Sequence, residues 1–83
     1  MDALSERIRD IIAVELQIDR GKVVPKASLR ADLGMDSIAA LNILFAAEET
    51  FGVPSIDVKE LANVATVEEV EIFLRTRIVA RAS

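Results

Sequence analysis

The stretch Asp32-Leu33-Gly34-Met35-Asp36-Ser37-Ile38-Ala39-Ala40-Leu41-Asn42-Ile43-Leu44-Phe45-Ala46-Ala47 reads as a loop, a tight turn and a helix start in immediate succession. Gly34 supplies the turn, because glycine enters left-handed backbone at no steric cost. Asp36 and Ser37 stand where a helix needs a side-chain oxygen for amides that lack an intrahelical partner, so either residue serves as N-cap. The helix runs from about Ser37 to Glu49 and stops at Phe51-Gly52, glycine being the usual C-terminal break. Between Ile38 and Ala47 the only polar side chain is Asn42. A bundle helix normally buries one stripe and shows a polar face. We assign Leu41, Leu44 and Phe51 to the inward stripe, which leaves Ile38 and Phe45 at least partly exposed.

Outward from this segment the pattern stays helical. Leu4, Ile8, Ile11, Ile12 and Leu16 recur at spacings of three and four, predicting an amphipathic first helix that ends near Leu16. Ile18 to Ala31 loses that period and contains Gly21 and Pro25, so it is a long loop, with Val23, Val24 and Leu29 expected to pin it to the core. Asp57 to Ala62 has room for one or two helical turns. Thr66-Val67-Glu68-Glu69 is a capping box that opens a last helix with Val67, Val70, Phe73 and Leu74 on one face. No segment alternates with period two for long enough to be a strand. The expected fold is all-α. It is a small antiparallel four-helix bundle, three main helices plus one short one, with a long loop after the first, forming a single domain over residues 1–83.

Composition narrows the function. A chain of 83 residues buries only roughly 60–65% of the surface its unfolded form exposes, so its core is thin. It is 52% hydrophobic with three Phe and no Tyr or Trp, which makes that core aliphatic. No apolar run approaches the ~20 residues of a membrane span. The opening Met1-Asp2-Ala3-Leu4-Ser5-Glu6 lacks the basic-then-apolar order of a signal peptide, so a cytoplasmic protein is expected. Cys and His are both absent. That removes thiolate chemistry, the commonest general base, the commonest metal ligand and any Ser-His-Asp triad. No catalytic residue and no metal site are therefore expected.

The net charge is −4, unevenly spread. From Asp32 to Glu71 there are nine acids and one base, Lys59. An acidic middle argues against nucleic acid, whose phosphates need a basic surface, and for partners with basic patches. On charge alone the plainer reading is a solubilising surface. Ser37 carries the chemistry of interest. A hydroxyl at a helix N-terminus is held where the dipole and free amides favour a phosphate. Asp36 beside it is placed to help a partner enzyme hold a metal ion or accept a proton. Taken in isolation, an Asp-Ser pair before an apolar helix is simply a cap, and nothing in the chain builds a phosphodiester unaided.

The segment Asp32 to Ile38 resembles the D-L-G-x-D-S-L motif of acyl carrier proteins, and the resemblance extends well beyond it. Ile8 to Ser37 follows the bacterial pattern without a gap, including Ile11-Ile12, Val23 and Ala27-Ser28-Leu29. Glu48-Glu49-Thr50-Phe51-Gly52 resembles the family's close of the second helix, and Ala65-Thr66-Val67 its opening of the last. The similarity covers about Ile8 to Leu74. It implies a non-catalytic carrier whose Ser37 bears covalent 4′-phosphopantetheine donated by coenzyme A, with Asp36 as supporting motif residue and Gly34 as the turn. Acyl intermediates of fatty-acid, specialised lipid or polyketide biosynthesis would then ride as thioesters on that arm. The implied partners are a phosphopantetheinyl transferase (holo-carrier synthase) and acyl-loading, ketosynthase or acyltransferase enzymes with basic docking patches. These partners would meet Ile38, Leu41, Phe45, Glu48 and Glu49 on a monomeric carrier.

Three departures qualify the likeness. Ile38 replaces the usual Leu, and Ala39 and Asn42 stand where fatty-acid carriers often have acids. The connection Phe51 to Asp57 is one residue longer, with Pro54 displaced. They point to a carrier dedicated to one pathway. A carrier of amino acids and an unmodified interaction module with the same fold are the competing readings. Asp36 before the serine favours an acyl carrier, and retention of Gly34-Met35-Asp36-Ser37 speaks against the module.

Overall fold

Ile8 and Ile12 lie one turn apart and are fully buried, and they set the inner face of α1 (Ala3–Leu16). The computed structural model describes residues 3–53 and 56–82. No glycine ends α1. Gln17 takes the left-handed conformation instead, at φ 56°. The Gln17 amide donates to the Val14 carbonyl and the Ile18 amide to that of Ala13. This is the Schellman arrangement, which satisfies the carbonyls orphaned at a helix end.

The other helices are α2 (Ser37–Phe51), α3 (Val58–Ala62) and α4 (Val67–Ala82). α1 packs on α2 and α4, and α2 packs on α3. On α1 and α4 the pairs Arg9–Glu71 and Ser5–Arg75 advance in opposite directions, so these two helices run antiparallel. Arg7 lies 5.4 Å from the centroid of the Phe51 ring, which places the start of α1 against the end of α2. The bundle is all-α among the described residues, apart from an isolated antiparallel bridge between Ser28 and Thr66.

The capping box works as the sequence predicts. The Glu69 amide donates to Thr66 Oγ1 at 3.3 Å, and Glu69 Oε1 accepts from the amides of Thr66 and Ala65. Val67, Val70 and Leu74 of α4 then meet Ile8 and Ile12 of α1, and Ile43 and Leu44 of α2, in one aliphatic core. Leu61 closes it from α3. Each such side chain contributes about 1.5–3 kcal/mol on full burial.

The long loop is ordered by the same core. It makes one 3₁₀ turn at Arg20–Lys22, capped by Asp19, and then buries Val23, Ala27, Leu29, Leu33 and Met35. Val24 does not join them. It is 47% exposed, because Val23 occupies the core and the chain turns its neighbour outward. The short helix lies at Val58–Ala62, with Asp57 Oδ1 accepting from the Lys59 amide. Pro54 and Ser55, in the lengthened connection, fall outside the described residues, as do Met1 and Asp2.

Candidate functional site

The entry to α2 is built from the loop upward. Ser28 and Asp32 fold residues 28–34 onto themselves: Asp32 Oδ2 accepts from the Ser28 amide at 2.7 Å, and Ser28 Oγ accepts from that of Ala31. Gly34 ends this turn at φ 71°, in the left-handed region the sequence predicts for it. A Cβ there meets no atom within 4 Å, so the glycine answers to backbone conformation and not to crowding. Met35 donates its amide to the Leu29 carbonyl at 2.8 Å and buries its side chain, fixing where α2 begins.

Of the two cap candidates, Asp36 is the cap. Its backbone is extended, and its Oδ1 accepts from the Ala39 amide at 2.8 Å. Ser37 is the first helical residue. Its side chain is exposed, and its hydroxyl makes no hydrogen bond among the described residues. The other described serines are committed. Ser5 is buried and takes a bond from Arg75, and Ser28 Oγ is engaged in the loop. Ser55 and Ser83 lie outside the described residues.

Along α2 the stripes need one correction. Leu41 does not point inward. It is 38% exposed and shares a face with Ile38 at 71% and Phe45 at 56%. Positions 38, 41 and 45 are three and four residues apart, the spacing of helical neighbours. The inward face consists of Ala40, Ile43, Leu44 and Ala47. The structure thus brings Ile38, Leu41 and Phe45 together as an apolar stripe beginning beside Ser37. At the far end of the helix, Gly52 adopts φ 66° and its amide bonds the Glu48 carbonyl.

The acidic middle is less of a patch than the sequence suggests. Glu71 is buried against Arg9, Glu60 pairs with Arg77 at 2.8 Å, and Asp32, Asp36, Asp57 and Glu69 bond backbone amides. Glu48 Oε2 accepts from the Ile56 amide at 2.8 Å, which ties the connection after α2 back to the helix. Of the nine acids, only Glu49 and Glu68 have a carboxylate without a hydrogen bond or ion pair among the described residues.

Beside Ser37 lies a groove of about 390 Å³ between α2 and α3, lined by Ser37, Ile38, Ala40, Leu41, Val58 and Ala62 with Arg30 and Lys59. Arg30 donates through Nη2 to the Ala62 carbonyl at 3.1 Å, bridging the loop to the end of α3. Arg30 and Lys59 escape a reading of the sequence because they come from different segments. Only the docking of α3 against α2 brings both to the serine.

A free hydroxyl at a helix start, beside an apolar groove in a four-helix bundle, defines a class of domain. Residues 6–74 match the family described as phosphopantetheine attachment site. Within that class the chain belongs to the acyl carrier protein family. It is 37% identical over 75 residues to an acyl carrier protein of Thermosynechococcus vestitus, covering 90% of this chain and 91% of that one. An acyl carrier protein of Helicobacter pylori is 39% identical over 67 residues, covering 78% of this chain and 86% of its own. One from Treponema denticola is 41% identical over 59 residues, covering 71% and 76%. The cofactor of this family is 4′-phosphopantetheine. No helix among the described residues is long and apolar enough to cross a membrane.

Proposed function

We propose that Ser37 is the attachment point and that the protein is a non-catalytic, monomeric, cytoplasmic carrier of acyl groups. The observation that carries this reading is the division of roles between Asp36 and Ser37. Because the aspartate caps the helix, the serine hydroxyl is exposed and uncommitted. A partner transferase presents coenzyme A to Ser37. Oγ bonds to the phosphorus of the pantetheine half, the pyrophosphate bridge breaks to release the nucleotide half as adenosine 3′,5′-bisphosphate, and the hydroxyl proton leaves to a base on the transferase. Asp36 keeps a second carboxylate oxygen beyond the one bonded to Ala39, placed to assist that step. The residues at hand fit the group, since an anion at Ser37 meets the N-terminus of α2, Arg30 and Lys59.

When bound, the arm supplies a terminal thiol for thioester linkage to the cargo. The protein's own residues supply recognition. The exposed stripe Ile38, Leu41 and Phe45 offers apolar contact beside the modified serine, and Glu49 offers a free carboxylate toward basic patches. The partners on this reading are the transferase and acyl-loading, ketosynthase or acyltransferase enzymes of fatty-acid, specialised lipid or polyketide biosynthesis. Ala39 and Asn42 at the start of α2 leave that end less charged, which supports a carrier dedicated to one pathway. Residues 1–83 form one acyl-carrier domain.

Intact-mass analysis after co-expression with a broad-specificity phosphopantetheinyl transferase tests the reading. One arm is gained, it maps to the peptide containing Ser37, and Ser37→Ala abolishes it. A gain that survives in Ser37→Ala refutes the assignment.

A further inference from the structure

We propose that Arg30 and Lys59 act as positioning residues that hold the phosphodiester of an arm on Ser37, laying its stem into the groove between α2 and α3. The proposal rests on Ser37 being the attachment point. Its starting observation is the place of two cations that have no carboxylate partner. Arg9, Arg20 and Arg77 each have a carboxylate partner, whereas the exposed Lys22 and Lys26 have none among the described residues and lie away from Ser37. Arg30 and Lys59 also have none among the described residues, and both line a groove that contains Ser37. Lys59 is also the only base between Asp32 and Glu71. Two cations from separate segments thus converge beside Ser37, where an anion would find both.

A phosphodiester carries one negative charge and is fixed one bond from Oγ, so it enters this field as soon as the arm is attached. Arg30 spends one of its five donors on the Ala62 carbonyl, which steadies the guanidinium and leaves the rest of its fork for phosphate oxygens. Lys59 supplies a mobile point charge from the facing helix. Beyond the phosphate the stem carries a gem-dimethyl carbon and short methylene runs, which suit Ile38, Leu41 and Val58. The arm therefore lies along the bundle at rest. It extends when a partner's own groups compete for the phosphate or cover the apolar stripe, and raised salt loosens it by screening.

The test uses holo-protein whose mass and peptide map place the arm on Ser37. In wild type at low salt, nuclear Overhauser contacts are expected from the gem-dimethyl protons to methyls of Leu41 and Val58. Amide shifts on attachment should extend to residues 58–62. Removing one cation, in Arg30→Gln or Lys59→Gln, should weaken the contacts about two- to fivefold, and the double variant should lose them. The ³¹P resonance should move toward that of a free phosphodiester in parallel. Lys59→Gln guards against a merely structural effect, because only Arg30 bonds the end of α3. The charge-preserving pair R30K/K59R should keep the contacts. An arm absent from Ser37 overturns the attachment reading and this one together. With the arm in place, three results overturn the clamp alone. One is shifts confined to residues 36–38, and another is contacts that persist in R30Q/K59Q. The third is cation shifts that appear only when the arm bears a cargo with a terminal carboxylate.

Discussion

Replacing Glu71 with Ala breaks the single buried ion pair among the described residues, and the structure sets the size of the loss. Glu71 Oε2 accepts from both Nε and Nη2 of Arg9, at 3.2 and 3.1 Å, with the side chains 9% and 8% exposed. Without the carboxylate, a guanidinium that cannot deprotonate is left beneath α4. Removing one partner of a buried pair costs about 3–5 kcal/mol. The pair forms part of the wall of a shallow groove between Ser5, Pro25 and Ile72, so water reaches its edge and the lower figure applies, about 3 kcal/mol. At about 0.05–0.15 kcal/mol per residue, the whole domain is stable by only some 4–12 kcal/mol. The variant should therefore lose a quarter to most of its stability. Arg9→Met should be milder, because methionine keeps the apolar stem that packs beneath α4. Replacing both, as R9M/E71L, should return stability to near the wild-type level, since an apolar pair carries no desolvation penalty. Urea denaturation followed by circular dichroism gives the three values, and Glu71→Leu alone completes the double-mutant cycle. The reasoning is refuted if Glu71→Ala costs under about 1 kcal/mol or if the double variant is as unstable as the singles added together.

Three further outcomes follow from the site. Asp36→Ala should cost about 0.5–2 kcal/mol as a lost N-cap, whereas Ser37→Ala should leave melting within about 0.5 kcal/mol of wild type; the reverse order would return the cap to Ser37. Phe45→Ala should leave melting nearly unchanged, because the ring is 56% exposed, while turnover with a partner enzyme falls; a loss of about 3–5 kcal/mol would place the ring in the core. Glu49→Lys should slow association with a basic transferase at low salt without altering stability. Glu48→Ala should cost about 1 kcal/mol by freeing the Ile56 amide, and stopped-flow association paired with thermal melts separates the two roles.

Local signals in the sequence transferred well. The Thr66-Glu69 box, the Gly34 and Gly52 turns and the three- and four-residue spacings of α1 are each settled within one turn of chain, and each appears as expected. What failed depended on a neighbour. Leu41 sits in a helix apolar on almost every side, so periodicity offers no contrast from which to choose its face. Ile43 fills the inward place instead. Val23 and Val24 are indistinguishable until the loop meets α4. The charge count misled for the same reason. Glu71 counts as surface charge until α1 brings Arg9 over it, and Glu60 until Arg77 arrives from a helix turn well downstream. The exposed position of Ser37 at the helix start was legible because its turn, cap and helix are contiguous. The groove beside it was not, since Arg30, Leu41 and Lys59 meet only in three dimensions.

The seam between the loop and the head of α4 gives that helix a hold on a site to which it contributes no residue. Leu29 donates its amide to the Ala65 carbonyl, Val67 to that of Ala27 and Glu68 to that of Pro25, while Met35 hangs from Leu29 on the other side. The platform carrying Gly34, Asp36 and Ser37 is in effect stitched to the last quarter of the chain. A chain severed after Val64 loses the far side of that seam along with Val67, Val70 and Leu74, and residues 27–35 then lose one of the walls they lie on. Such a fragment keeps every residue of the motif and, on the proposed reading, should still fail as a transferase substrate. Adding residues 65–82 as a free peptide should re-form the seam and restore modification, which would make this joint, and not the motif alone, the measure of a minimal substrate.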